Sequence, residues 1–118
     1  YQLDPTPAGW LSAIDAATGE TRWRYHSSEP VMAGVTTTSG NLVFAGETTG
    51  DFIALDATSG DVLYRFNTGG GIGGGIVTYA LGGKQYVAVA SGPSGLMFVR
   101  GNPGTPTLFV FALPEQKP

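Results

Sequence analysis

Short runs of five or six mostly apolar residues, with positions that alternate with a period of two, recur along this chain and are bounded by glycine. In residues 51–56, Phe52 and Ala54 alternate with Ile53 and Leu55, as expected for a strand whose successive side chains point to opposite faces. No segment shows a sustained helical period. We therefore predict an all-β protein with essentially no helix.

An internal repeat specifies the architecture further. The segment GWLSAIDAATG at 9–19 reappears as GDFIALDATSG at 50–60, and a bulky aromatic residue follows each copy, Trp23 and then Tyr64. The two copies are 41 positions apart, within the roughly 40 to 45 residues of one four-stranded propeller blade. We predict a β-propeller fragment of about two adjoining four-stranded antiparallel blades.

The predicted strands form three groups along the chain. Residues 1–29 contain the last two strands of a preceding blade, residues 30–68 one complete four-stranded blade, and residues 69–118 three strands of a closing blade and a C-terminal tail. The strands are predicted at 10–15 and 21–26, at 33–38, 42–47, 51–56 and 62–67, and at 76–81, 85–91 and 107–113. A propeller commonly closes when the N-terminal strand completes the last blade, so a last blade with three strands fits such a ring.

The aspartates of the repeat favour a turn over catalysis. In Asp-x-x-Thr-Gly, the carboxylate accepts backbone N–H groups two or three residues on, and glycine supplies the positive φ. Asp15 and Asp56 occupy the same place in each copy. We therefore interpret them as turn caps and not as the carboxylate pair of a glycosidase.

Composition excludes several classes of partner and site. The net charge is −3 and the six Lys and Arg residues are scattered, so nucleic acid is not an expected partner. No apolar run is long enough for membrane insertion. The chain has no cysteine and one histidine, which excludes thiolate sites and a multi-histidine metal site within it.

The pattern Ala-x-Asp-x-x-Thr-Gly-x-x-x-Trp resembles the tryptophan-docking motif of the pyrroloquinoline-quinone (PQQ) dependent alcohol and methanol dehydrogenases. The second copy has Ser for Thr and Tyr for Trp, and the segment GKQYVAVASG at 83–92 resembles the closing blade of that family. The matching residues are Ala13, Asp15, Thr18, Gly19 and Trp23 in the first copy and Ala54, Asp56, Ser59, Gly60 and Tyr64 in the second.

The resemblance implies the C-terminal blades of an eight-bladed periplasmic propeller that oxidises a small primary alcohol. It implies PQQ in the complete propeller and a calcium or lanthanide ion bound by residues outside this segment. No vicinal cysteine pair and no metal-ligand or catalytic-base segment of the family is present, so we assign no catalytic residue and expect the fragment alone to be inactive. In the family the docking tryptophan stacks on a glycine turn of the neighbouring blade, which we expect of Trp23.

Two segments align with cofactor-lining parts of the family. Met32, Ala33 and Gly34 lie where relatives carry a tryptophan beside PQQ, and Leu96 lies where an aromatic residue is common. The alternative to cofactor contact is that Met32 packs on the inner strand, a role suited to its flexible side chain. The glycines at 69–75 contain G-x-G-x-x-G, but a strand follows them, which favours a crossing between blades over a dinucleotide site.

Two functions remain open, a PQQ-dependent dehydrogenase and a non-catalytic scaffold. The departures at Met32 and Leu96 are also compatible with a non-catalytic propeller of the same descent that acts as a binding or assembly scaffold. In either case two incomplete blades expose sheet edges, so we expect the remainder of the propeller or further copies of the chain as partners.

Overall fold

The computed structural model describes residues 8–92 and 104–114. Among them it contains strands and turns and no helix, which confirms the predicted all-β class. The strands are β1 Gly9–Ile14, β2 Thr21–Ser27, β3 Thr36–Thr37, β4 Leu42–Gly46, β5 Asp51–Asp56, β6 Val62–Asn67, β7 Ile76–Leu81, β8 Lys84–Ser91 and β9 Thr107–Ala112.

The described strands form three antiparallel sheets, each a meander of sequence neighbours. The orders are β1-β2, β3-β4-β5-β6 and β7-β8-β9, and we call these sheets the first, middle and third blade. Two, four and three strands are the numbers that the sequence predicted. The domain boundaries at 29/30 and 68/69 remain a prediction.

The innermost strand of the middle blade is shorter than predicted. We expected a strand over 33–38, whereas only Thr36–Thr37 pairs with β4. The backbone before it bonds elsewhere, because Gly34 N–H donates to Gly74 O at 2.9 Å and Thr48 N–H donates to Pro30 O at 3.3 Å. Backbone groups that bond to a crossing or a turn cannot also form the ladder of the sheet.

The two repeat copies fold alike. Asp15 Oδ1 accepts the N–H groups of Ala17 and Thr18 at 2.9 and 3.1 Å. Asp56 Oδ1 accepts those of Thr58 and Ser59 at 2.8 and 3.0 Å. The glycine that follows each, Gly19 or Gly60, has a φ of 75° or 79°, so both segments are capped turns, as predicted.

These turns make the fold sensitive to acid. Hydrogen bonds from the backbone N–H groups of Ser59 and Thr58 lower the pKa of Asp56 from its ordinary 3.8. The folded state therefore binds this proton less well than the unfolded state, so its contribution to stability is present above 3.8 and is lost as the pH falls through the lowered pKa.

We expect Asp56→Asn to lose less stability than the wild type between about pH 5 and pH 2, because an amide accepts the same bonds without titrating in this range. Denaturant midpoints at several pH values measure this. Equal losses in both proteins would show that the turn does not contribute to acid sensitivity.

The middle blade is buried on both faces. Four side chains of β4 and β5 pack toward the first blade with Leu11, Trp23 and Tyr25; they are Val43, Ala45, Ile53 and Leu55. Phe44, Phe52 and Ala54 pack toward the third blade with Ile72, Val87, Val89 and the partly buried Phe109 and Phe111. Alternation along one strand thus supplies two inter-blade cores, which holds three sheets in a stack.

The outer face of the third blade is apolar and exposed, with Leu81 at 70% and Leu108 at 68% exposure. The outer face of the first blade is mixed, because the 62% exposed Ile14 shares its strand with the exposed Ser12, which pairs with the exposed Arg24. Large exposed apolar faces mark surfaces that another element covers. The described residues contain no helix of the length and apolarity that crossing a membrane requires.

Candidate functional site

The candidate site lies at one end of the three blades. In a four-stranded meander, the second turn and the crossing to the next blade lie at the same end, opposite the first and third turns. We call this the crossing end. It contains the crossings at 28–35 and 68–75, the turn at 47–50 and the ends of the β8–β9 connection.

Backbone hydrogen bonds connect the segments of the crossing end. Ile72 N–H donates to Glu47 O at 3.1 Å, and Gly92 N–H donates to Gly71 O at 3.0 Å. A Cβ on Gly50 would lie 2.8 Å from Gly70 O. The glycine-rich segment at 69–75 is thus a crossing between blades, as predicted, and its backbone lies close enough to the 47–50 turn that Gly50 has no room for a side chain.

A cleft of about 470 Å³ opens beside this crossing. Its lining includes Gly71, Gly73, Gly74, Ser91, Gly92 and Leu108. Ser91 is 7% exposed, and its Oγ has no hydrogen-bond partner. No charged side chain lines the cleft among the described residues, so it suits a neutral or flat part of a ligand and leaves any ligand charge to be met elsewhere.

The residues predicted to touch a cofactor lie on the neighbouring crossing. Met32 is 42% exposed, and Gly34 is bonded to Gly74 of the cleft. Ala33 is partly buried, because it packs against the core between the middle and third blades. Leu96 lies outside the described residues. The contact of these residues with a cofactor remains a prediction.

A polar network that the sequence analysis did not find joins the first and middle blades. Glu47 is 3% exposed, and its Oε1 accepts the hydroxyl of Tyr25 at 2.6 Å. Arg65 Nη1 lies 3.1 Å from Glu47 Oε2 and 2.8 Å from Asp51 Oδ2, and its Nη2 donates to Tyr25 Oη at 2.6 Å. A glutamate directly after an apolar strand was the available signal, but its partners are 18 and 22 residues away in sequence.

The network raises the pKa values of Tyr25 and Arg65. Burial raises the pKa of Tyr25, and its bond to Glu47 adds to this effect. The hydrogen bond with Tyr25 raises the pKa of Arg65. A neutral phenol and a cation around one buried carboxylate form a satisfied structural cluster, so we assign it no proton-transfer role.

The repeat motif forms a second inter-blade contact, at the end opposite the crossings. Trp23 Nε1–H donates to Ala57 O at 2.8 Å, from the first blade to the middle blade. A Cβ on Gly60 would lie 2.6 Å from Cδ2 of this ring, so the indole packs directly against the glycine turn. The docking role of the motif and its energetic contribution remain predictions.

Tyr64, the counterpart of Trp23, has a different environment. It is 47% exposed and meets Phe52 and Phe111 in edge-on contacts with ring centroids 6.5 and 6.1 Å apart. The described part of the third blade offers no Asp-x-x-Thr-Gly turn for it, since Leu113 and Pro114 follow the end of β9.

The described residues contain no group of three His, Cys, Asp or Glu side chains that could hold a metal ion. Asp15 pairs with Arg22, and Asp51 pairs with Arg65 and Asn67. These carboxylates therefore serve turns and pairs within the blades.

Comparisons with known proteins agree with this architecture. Residues 7–97 match the PQQ_2 family, described as outer membrane protein assembly factor BamB. The chain is 40% identical to the quinoprotein alcohol dehydrogenase PedH of Pseudomonas putida, covering 92% of this chain and 20% of that protein. It is 43% identical to the dehydrogenase subunit of a quinone alcohol dehydrogenase of Acetobacter aceti, covering 75% of this chain and 12% of the relative.

Solved structures of the same class superpose on it. Quinohemoprotein alcohol dehydrogenase from Comamonas testosteroni matches 89% of this chain with a TM-score of 0.76 and 29% identity, over 16% of its own length. A europium-containing methanol dehydrogenase matches 70% with a TM-score of 0.66 and 39% identity, over 15% of its length.

The chain thus spans a fifth or less of these curated relatives. The three blades are a fragment of a propeller, as the repeat predicted. The chain belongs to the PQQ_2 family of β-propellers, and within it to the relatives of the quinoprotein alcohol dehydrogenases.

Proposed function

We propose that these blades are the C-terminal part of a periplasmic PQQ-dependent dehydrogenase that oxidises a small primary alcohol. The observation that carries the proposal is the identity of 40% and above to quinoprotein alcohol dehydrogenases over most of the chain. The part described here is mainly structural, and its crossing end forms one wall of the cofactor site.

The residues of the crossing end fit a flat cofactor in two respects. The cleft holds a buried hydroxyl without a partner, Ser91 Oγ. It also holds Gly74, where an added Cβ would meet no described atom within 4 Å. When bound, PQQ supplies the two-electron acceptor for alcohol oxidation, and a calcium or lanthanide ion held by other blades supplies a Lewis acid.

This chain would position the cofactor and exclude water from it. The crossing that carries Met32 and the crossing that lines the cleft are joined by the Gly34–Gly74 hydrogen bond, which would hold the two crossings at a fixed distance. Two crossings held in this way would orient a ligand without taking part in the reaction. The apolar outer face of the third blade, and the edge of β9 that pairs with no described strand, would be covered by the remainder of the propeller.

Cofactor binding tests the proposal on the intact protein that carries this chain. We expect PQQ, added with Ca²⁺ or with La³⁺, to bind in an absorbance titration and to support alcohol-dependent reduction of a dye. Absence of PQQ binding with either metal ion would refute the dehydrogenase.

That negative outcome would favour the second candidate, a non-catalytic scaffold. Its specific support is the description of the matching family as an outer membrane protein assembly factor. A scaffold needs the inter-blade contacts of Trp23 and Glu47 but does not need the cleft. Cofactor binding therefore separates the two functions.

A further inference from the structure

The cleft at the crossing end contains a glycine that the described fold does not require. Glycine is needed where φ is positive or where a Cβ would collide. Gly74 meets neither condition, because it is not among the positive-φ residues and an ideal Cβ would have no described atom within 4 Å. Its missing side chain leaves space in the cleft that it lines.

Ser91, in the same cleft, is the second independent observation. It is more than nine-tenths buried, and in the part of the chain that the structure describes its Oγ is the one buried side-chain oxygen or nitrogen without a partner. A buried hydroxyl without a partner costs about 1 to 3 kcal/mol in general, so such groups point to a ligand or a strained site. No hydrogen bond opposes a change of its χ1 rotamer.

We propose that the Ser91 hydroxyl turns into the cleft and donates a hydrogen bond to a carbonyl or carboxylate oxygen of the quinone cofactor, whose ring edge occupies the space beside Gly74. This inference rests on the proposed function and assigns a cofactor contact to two residues outside the family motif. The hydroxyl is neutral, so it orients the oxygen without adding charge to a cleft whose described lining residues are all uncharged.

The proposal predicts opposite effects of one substitution on the free and the loaded protein. Ser91→Ala removes an unpartnered hydroxyl, so the cofactor-free protein should unfold at the same temperature as the wild type or at a higher one. The same change should weaken PQQ binding about tenfold, the loss of one hydrogen bond. A purely structural serine would give the reverse pattern, with lower stability and unchanged affinity.

Gly74→Val tests the adjoining space. The cofactor-free protein should tolerate this valine, since its Cβ has room, but the side chain should fill the cleft and reduce PQQ affinity more than tenfold. Gly40→Val is the matched control, because Gly40 also lacks a positive φ and its Cβ would meet only Thr38 Oγ1, at 3.7 Å. Ser39→Ala, in the same distant turn, is the control for Ser91.

The measurement is an equilibrium titration of the intact protein with PQQ in the presence of Ca²⁺, together with the melting temperature before PQQ is added. Weaker binding by both cleft variants, with wild-type affinity in both controls, supports the assignment. Wild-type affinity in the cleft variants overturns it and leaves the proposed function standing. If the wild-type protein itself binds no PQQ, both proposals fail.

Discussion

Trp23→Ala is expected to lower the free energy of unfolding by about 3 kcal/mol, the lower end of the range for removing a packed aromatic side chain. The half-buried ring packs on the Gly60 turn and on the core between the first and middle blades. Its Nε1–H also bonds to Ala57 O. The substitution removes these three contacts of Trp23 with the middle blade, and denaturant unfolding of the intact protein measures the loss.

Trp10 provides the matched control for this experiment. It is 61% exposed in the same blade, so Trp10→Ala should cost less than about 1 kcal/mol. Trp23→Phe keeps a ring and loses the hydrogen bond, so an intermediate loss is expected. Equal effects at positions 10 and 23 would contradict the docking role.

Glu47→Ala is expected to cost about 3 kcal/mol, because it removes the buried acceptor shared by Tyr25 and Arg65. Tyr25 is left without its carboxylate partner, and Arg65 retains only Asp51 as an ion pair. The lost stability comes from the contact between the first and middle blades. Unfolding midpoints in denaturant measure it.

A double-mutant cycle with Tyr25→Phe isolates the contact across the blades. We expect a coupling energy of about 1 kcal/mol between Glu47 and Tyr25. Glu20→Ala is the control, since Glu20 is exposed and its effect should stay within about 0.5 kcal/mol. Additive effects of the two substitutions would show that the hydroxyl and the carboxylate do not interact.

The fold could be predicted from the sequence because its information is local and repeated. The alternation within residues 51–56 and the Asp-x-x-Thr-Gly turns act over a few residues, and a copy 41 positions away repeats both. Strand bounds were therefore predicted to within one or two residues except at 33–38. That segment failed because Gly34 bonds to Gly74 of the next crossing, which no local pattern indicates.

The candidate site was less predictable. Resemblance to the family indicated Met32, Ala33, Gly34 and Leu96, and their contact with a cofactor remains a prediction; Ala33 also packs against the core between the middle and third blades. The Glu47 network and the partnerless Ser91 were missed, because each depends on groups from different blades. Only a folded stack shows which polar groups find partners and which do not.

The sequence by itself determined the strands, the turns and the repeated blade. The strands follow from a side-chain period of two, and the turns follow from capping aspartates and from glycines with positive φ. Tertiary structure alone decided burial. Ile14 and Leu55 hold equivalent positions in the two repeat copies, yet Ile14 is 62% exposed and Leu55 is fully buried. The physical reason is that a side chain is buried by its neighbouring blade: Leu55 has the first blade against it, whereas no described blade covers Ile14.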